Sequence, residues 1–271
     1  MTNYQKYSGA GNDFLMVNNL SGEFKNLSAL TVELISLGNK NFDGVIFVED
    51  SDIADYKMNY YNRDGTGNAL CGNGLRCTAK YLRDNAICKK NIFTLEAINK
   101  IYQAEFLSKD TIAISFPPPK KMKFGFPLKV NFFEWWQDVR ASYIDVDSLH
   151  CVIFLDDIEN LNISLEEIDI NEWGRNVRMH HDFMPEGVNA NFAEIRSGEI
   201  FLRSYEKGVE GETLACGTGA ICTAIAAYSL KGLIPPYKIH TQSGNILTVH
   251  FEINNSQISG LTLAGPAIKI S

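Results

Sequence analysis

No uninterrupted apolar run in this chain reaches the ~20 residues that cross a bilayer as a helix, which sets a helical membrane role aside. Positive charge is also scarce. Lys and Arg number 25 against 32 Asp and Glu, a net charge of −7, whereas nucleic-acid binding needs a concentrated basic surface. The one basic cluster, Lys120, Lys121 and Lys123, reads as a solvated linker. The opening Met1-Thr-Asn-Tyr-Gln-Lys6 lacks the charged-then-apolar pattern of a signal peptide, so the expectation is a cytoplasmic protein with no nucleic-acid or membrane partner. Metal-binding cysteine spacing is missing too. Two pairs of the six cysteines (71, 77, 88, 151, 216 and 222) are spaced C-x5-C, and on a helix such a pair points about 240° apart. Nor does a chain this long with six cysteines read as a secreted disulfide framework. Cys77, Cys88, Cys151 and Cys222 are therefore expected as small buried residues, and no metal site is expected.

Apolar residues make up 45% of the sequence and charged residues 21%, the balance of a globular protein with real cores. At 271 residues the chain exceeds a typical single core. An internal repeat favours two domains. Cys71-Gly-Asn-Gly-Leu-Arg-Cys77-Thr-Ala79 returns 145 positions on as Cys216-Gly-Thr-Gly-Ala-Ile-Cys222-Thr-Ala224, identical at six positions. In each copy a Cys precedes Gly-x-Gly and a helical pattern, which places its sulfur at a helix N-terminus. Unpaired amides and the positive end of the helix dipole meet there, a setting that lowers a thiol's pKa and binds carboxylate. Two such cysteines suggest paired acid/base groups serving one substrate.

The elements repeat as well. Phe14–Val17 reads as a strand entered from the Gly-rich turn 8–13, Leu30, Leu34 and Leu37 as a helix closed by Gly38-Asn39, and Val45–Val48 and Tyr56–Tyr61 as strands leading to Cys71. The helix behind Cys71 carries Arg76, Lys80 and Arg83 on one face and is expected half exposed. After strands at 92–95 and 111–116, Pro117-Pro-Pro119 marks a boundary. The second half runs strand (151–155), helix (Ser164-Leu-Glu-Glu167 with capping-box spacing, then Ile170, Trp173, Val177), strand (188–193), strand (200–205) and the second Cys-Gly-x-Gly helix, apolar nearly all round and so expected wholly buried. His180 and His181 read as surface residues. Gly44 and Asn189 keep the 145-residue offset.

Together Gly11-Asn-Asp-Phe14, Asn62-x-Asp-Gly65, Cys71-Gly-Asn-Gly-x-Arg-Cys77, Pro185-Glu-x-Val-Asn189, Gly211-Glu-Thr-x-Ala-Cys-Gly-Thr-Gly219 and Gly265-Pro-Ala267 resemble the diaminopimelate epimerase family in its own order along nearly the whole chain. The resemblance implies an α/β fold of two pseudo-symmetric domains, each a curved, mostly antiparallel sheet wrapped around a central helix, with the active site in the cleft between them. The last strand then joins the first domain, giving residues 1–116 with 262–271 as one domain and 117–261 as the other. It also implies a homodimer and no cofactor.

For the site, the resemblance implies Cys71 and Cys216 as base and acid, with roles set by substrate direction. His150 and Glu206 stand beside them as further catalytic residues able to help pass a proton. Backbone donors of Gly72, Asn73, Gly217 and Thr218 would bind the reacting carboxylate. Asn12, Asn62, Asn189, Glu206 and Lys207 would hold the rest of a diaminopimelate substrate, with Ser148 beside them. Three departures touch binding alone. Ser148 stands where many members have Asn, Gly44 where some have Gln, and Lys207 where Arg is usual, which keeps the charge but loses bidentate carboxylate recognition. The function so implied is epimerisation of LL- and meso-2,6-diaminopimelate for lysine and peptidoglycan precursors. The alternatives are a racemase of another amino acid on the same fold, and a non-catalytic thiol protein that senses redox state or binds metal.

Overall fold

The computed structural model describes residues 2–37, 42–67, 70–132, 135–158, 161, 163–255 and 257–271. The chain divides into two units, Met1–Phe116 with Ala264–Ser271, and Pro117–Leu263.

In the first unit β1 (Tyr4–Gly9) and β2 (Asn12–Asn18) form a hairpin whose two turn residues, Ala10 and Gly11, both take positive φ (58° and 101°), the geometry that lets a two-residue turn follow the strand twist. α1 (Leu27–Leu37) then leads to β3 (Gly44–Glu49), which lies parallel to β2. The expected closure of α1 at Gly38-Asn39 lies outside the described residues. β4 (Tyr56–Asn62) runs antiparallel to β3. α2 (Gly72–Asp84) follows, then β5 (Ile92–Ala97) parallel to β4, with β6 (Lys100–Phe106) and β7 (Thr111–Ser115) added antiparallel.

β2 and β3 are buried on both faces, so they read as continuous apolar runs rather than alternating ones. Leu15, Val17, Val45 and Phe47 pack with Leu27 and Leu34 of α1. Residues of the other parity, such as Ile46, meet α2. Each fully buried Leu, Ile or Phe in such a layer contributes roughly 1.5–3 kcal/mol.

The second unit opens with the long hairpin β8 (Lys121–Phe132) and β9 (Trp135–Asp145). The lysine cluster 120–123 thus enters a strand instead of forming a linker, because its alternating partners Met122 and Phe126 pair across to β9. β10 (Leu149–Phe154) pairs with β9, and α3 (Ile170–Arg178) with β11 (Asn189–Arg196) follow. The Ser164 amide and hydroxyl both donate to Glu167 Oε2 (2.8 Å each), but the pair closes a turn. Asp169, accepting from the amides of Asn171 and Glu172, caps α3. β11 is parallel to β10 and antiparallel to β12 (Glu199–Glu206). β13 (Gly211–Thr213), α4 (Gly217–Lys231), β14 (Tyr237–His240), β15 (Ile246–Asn254) and β16 (Gln257–Pro266) complete the run. β14 lies parallel to β12, as β5 does to β4. Cys151, Ile153, Ala190 and Phe192 pack on Ile170, Trp173 and Val177 of α3 in a core centred on the Trp173–Phe132 stack (4.1 Å).

The final strand, β17 (Ile268–Ile270), pairs antiparallel with β1 in the first unit, Lys6 opposite Ile270. Each unit therefore holds mixed pairs in the same order around one helix that begins at a Cys-Gly-x-Gly. α4 is buried as far as Ala227 save half-buried Thr218; its last turn, from Tyr228, emerges to the surface, so α4 is not buried throughout as expected. α2 is buried from Gly72 through Leu82 without a break. That corrects the half-exposed face expected for α2. Arg76 is fully buried and Lys80 nearly so, the latter paired with Asp84 (2.8 Å) and Asp110 (3.0 Å). Amphipathic spacing signals exposure only when the charges lack buried partners.

Candidate active site

Cys71 and Cys216 are the N-caps of α2 and α4. Both have extended backbone, and both sulfurs accept the amide three residues on, Gly74 and Gly219, at 3.3 Å. The glycines explain why the motif requires them. A Cβ on Gly219 would meet Asn191 Oδ1 at 2.3 Å, and one on Gly74 would meet Ile46 Cδ1 at 3.0 Å, so the helix ends press directly on the strands beneath. Since α2 starts at Gly72 and α4 at Gly217, the amides of Gly72, Asn73, Gly217 and Thr218 lie in the first turn, beyond reach of any carbonyl of their own helix.

In the first unit the side chain of Asn73 donates to Asn12 Oδ1 and accepts from Arg76 Nη2 (2.7 Å). Arg76 also reaches the Pro266 carbonyl (3.4 Å), while its Nη1 has no partner and no carboxylate pairs with it among the described residues. Burial pulls its pKa down to about 10, so the group remains a cation. Asn62 is tied into its turn: its amide donates to Thr66 Oγ1 (3.0 Å) and accepts from Tyr60 hydroxyl (2.9 Å). At Gly44 a Cβ would lie 2.2 Å from the Tyr61 carbonyl, so no larger residue fits this backbone.

In the second unit Asn189 acts as a bracket. It donates to Ser148 Oγ (2.9 Å) and the Leu149 carbonyl (3.0 Å) and accepts from the Lys207 amide (2.8 Å). The Lys207 side chain is exposed, and Glu206 accepts from Thr213 Oγ1 at 2.5 Å. His150, fully buried, is linked to Cys216 through Thr218: its Nε2 lies 2.9 Å from Thr218 Oγ1, which lies 3.7 Å from Cys216 Sγ. Behind it, Asn191 reaches Nδ1 at 3.0 Å.

The lowered thiol pKa expected at a helix N-terminus is not what this environment gives Cys216. Burial, with the nearby Glu206 carboxylate adding to it, pushes the thiol well up, outweighing the Gly219 amide and Thr218 hydroxyl. Cys216 is thus held as a thiol. Cys77, Cys88, Cys151 and Cys222 are buried, as expected of packing residues. His180 is buried rather than on the surface; its Nε2 meets the Lys129 carbonyl (3.0 Å) and its Nδ1 accepts from the Asp182 amide (3.2 Å). It therefore has no lone pair to offer an ion beside His181 and Asp182, the one His/Cys/acid cluster among the described residues.

The roles of two residues in these neighbourhoods were not read from the sequence: Arg76, taken for part of a solvated face, and Asn191. Each carried a signal. Arg76 stands where the second motif has Ile221, and Asn191 alternates with Asn189 inside an otherwise apolar strand, a place where a polar side chain needs a buried partner.

The family model described as diaminopimelate epimerase matches residues 4–112 and 142–270. A diaminopimelate epimerase of Chlorobaculum tepidum is 31% identical, covering 96% of this chain and 96% of its own. That of Chlamydia muridarum is also 31% identical, over 92% of this chain and 87% of its own. Among solved structures, a Bacillus anthracis phenazine biosynthesis protein of the PhzF family superposes with TM-score 0.73 at 14% identity, covering 100% of this chain and 97% of its own. A hydroxyproline epimerase from Agrobacterium vitis reaches 0.67 at 13% identity, covering 99% and 90%. At such identities the structural likeness speaks for the fold.

Proposed function

The chain belongs to the diaminopimelate epimerase family, isomerases that need no pyridoxal phosphate, and from that premise we propose that it interconverts LL- and meso-2,6-diaminopimelate with Cys71 and Cys216 as the two proton carriers. The observation that carries this is the matched pair of capping cysteines, each with its sulfur on a first-turn amide at 3.3 Å. Inverting an α-carbon requires one group to take the proton and a second to return one on the opposite face. The charge left behind spreads into the carboxylate, and preorganised donors there do most of the stabilising. First-turn amides of Gly72, Asn73, Gly217 and Thr218 are suited to that task.

Burial and the nearby Glu206 carboxylate push the Cys216 thiol up, which suits it to give a proton, and the two sulfurs exchange roles with substrate direction. Asn12, Asn62, Asn189, Ser148, Glu206 and Lys207 serve the substrate's distal amino and carboxylate groups, Asn189 chiefly by fixing Ser148 and the backbone at Lys207. The enzyme works in the cytoplasm as a homodimer, in the supply of lysine and peptidoglycan precursors.

The test is to incubate the reduced protein with LL-diaminopimelate in deuterated water and follow α-deuterium and the isomer ratio. Exchange with approach to an LL/meso mixture is expected. Absence of exchange by folded, reduced protein overturns the proposal, and deuterium uptake by a different amino acid alone reassigns the chain to a racemase of that substrate.

A further inference from the structure

The polar side chains behind Cys216 form a directed chain, and its direction follows from a single amide. Asn191 Nδ2 lies 3.0 Å from the Cys151 carbonyl and 3.4 Å from that of Asn189. Carbonyls only accept, so this end of the amide is the NH2 group. The other end, Oδ1, accepts from the Ser204 hydroxyl at 2.9 Å. The same NH2 group faces His150 Nδ1 at 3.0 Å, which leaves that nitrogen no role but acceptor. A neutral ring then carries its one hydrogen on Nε2 and donates to Thr218 Oγ1 at 2.9 Å. Accepting from His150 uses one of the threonine's two lone pairs and leaves its hydrogen free to turn toward Cys216 Sγ, 3.7 Å away, once that sulfur is a thiolate that can only accept.

We propose that Asn191 is a positioning residue that fixes His150 as the Nε2–H tautomer and thereby sets the Thr218 hydroxyl to donate to the Cys216 thiolate when the sulfur gives up its proton. In this arrangement His150 stays neutral and does not shuttle a proton, since an imidazolium would set an Nδ1–H against the Asn191 NH2. Full burial, which lowers the ring's pKa to about 3, acts in the same sense.

A purely structural role for the pair is countered by the first unit. There the parallel strands β2 and β3 meet α2 in the same way, with Phe14 beside Gly44 where His150 stands beside Asn189, and Ile46 under Gly74 where Asn191 lies under Gly219. The fold thus closes with two apolar residues at these positions, and the polar pair occurs only under Cys216.

The inference rests on Cys216 being a proton carrier, yet its first test is independent of any substrate. Long-range 15N–1H spectra of histidine-labelled protein at pH 7, with His150 assigned by its loss in His150→Gln, should show Nε2 protonated and Nδ1 bare. An Nδ1–H or charged ring overturns the proposal whether or not the protein epimerises diaminopimelate. Asn191→Asp offers only acceptors at this position and should move the hydrogen to Nδ1. Retention of the Nε2–H form in a folded variant overturns the lock. If that variant does not fold, the unmodified protein's spectrum still decides.

Activity separates positioning from proton transfer. His150→Gln keeps a donor near the Nε2 position and should lower kcat by less than about tenfold with KM unmoved, whereas His150→Leu should cost more. A kcat loss of about 10²–10⁴-fold in His150→Gln, the range expected on removing a general acid or base, overturns it.

Discussion

Beneath Cys71 the strands present Phe14 and Ile46; beneath Cys216, at corresponding register, they present His150 and Asn191. The contrast inverts one turn along each helix, where α2 has the buried cation Arg76 and α4 has Ile221. Each half thus places a single polar device under its sulfur, from the helix in the first and from the strands in the second. Two copies of one motif have kept the same backbone trap, the cap at 3.3 Å, while its electrostatic backing has been supplied from different elements. Duplication preserves what geometry demands and lets the charge distribution drift. For a reaction that treats one sulfur as acid and the other as base, unequal surroundings are an asset.

The most severe way to break the comparison is to remove a sulfur. Cys71→Ala and Cys216→Ala should each abolish epimerisation, a loss of about 10⁴-fold or more measured by isomer ratio, because neither half can replace the other's proton carrier. Next comes the glycine common to both motifs. Gly219→Ala drives a methyl into Asn191 at 2.3 Å and should cost about 2–3 kcal/mol by urea denaturation. Gly74→Ala meets the flexible ends of Ile46 and Met58 at 3.0 and 3.2 Å and the Cys71 Cβ at 3.3 Å, and should stay within about 1 kcal/mol, the strain being offset by better helix propensity.

Arg76→Met separates folding from function. Losing a buried, uncompensated cation offsets the hydrogen bonds it gave, so stability should change by about 1 kcal/mol at most. Epimerase kcat/KM should nevertheless fall by about tenfold as Asn73 and Asn12 lose their anchor. Glu206→Gln has the smallest effect. With the carboxylate gone, one cause of the raised Cys216 pKa disappears while burial remains, and the sulfur should titrate lower. Below the native midpoint the thiolate fraction then rises, so iodoacetamide alkylation in a Cys71→Ala background should quicken at pH 8. An unchanged pH profile would remove Glu206 from the account.

The repeat, the strand-helix-strand-strand order leading to each cysteine and the caps were legible because they rest on local rules, whereas β1, β6 and the β8–β9 hairpin were not read. Gly-x-Gly after Cys opens a helix end in both copies, and the leucine period found α1, although its buried face is Leu27, Thr31 and Leu34 while Leu37 is exposed. The polar network was not legible, since it depends on which residues of neighbouring strands fall opposite one another. Asn191 meets His150 through the β10–β11 register, a relation between residues 41 apart. Arg76 misled for the opposite reason. Its spacing with Lys80 and Arg83 mimicked a solvated stripe, yet Asn73 and the Pro266 carbonyl, far off in sequence, receive it inside the sheet. Cys216 shows the limit of a single-cause argument, because the helix end favours its anion and burial opposes it more strongly.

The pairing of β17 with β1 gives the molecule an order of assembly. Everything the second unit needs emerges from the ribosome before Ile268–Ile270 does, whereas the first unit must wait for those residues to reach Lys6–Ser8. The half made first is finished last. During translation the partly built leading half exposes the open edge of β1, a template for pairing with a neighbouring nascent chain, until the closing strand arrives.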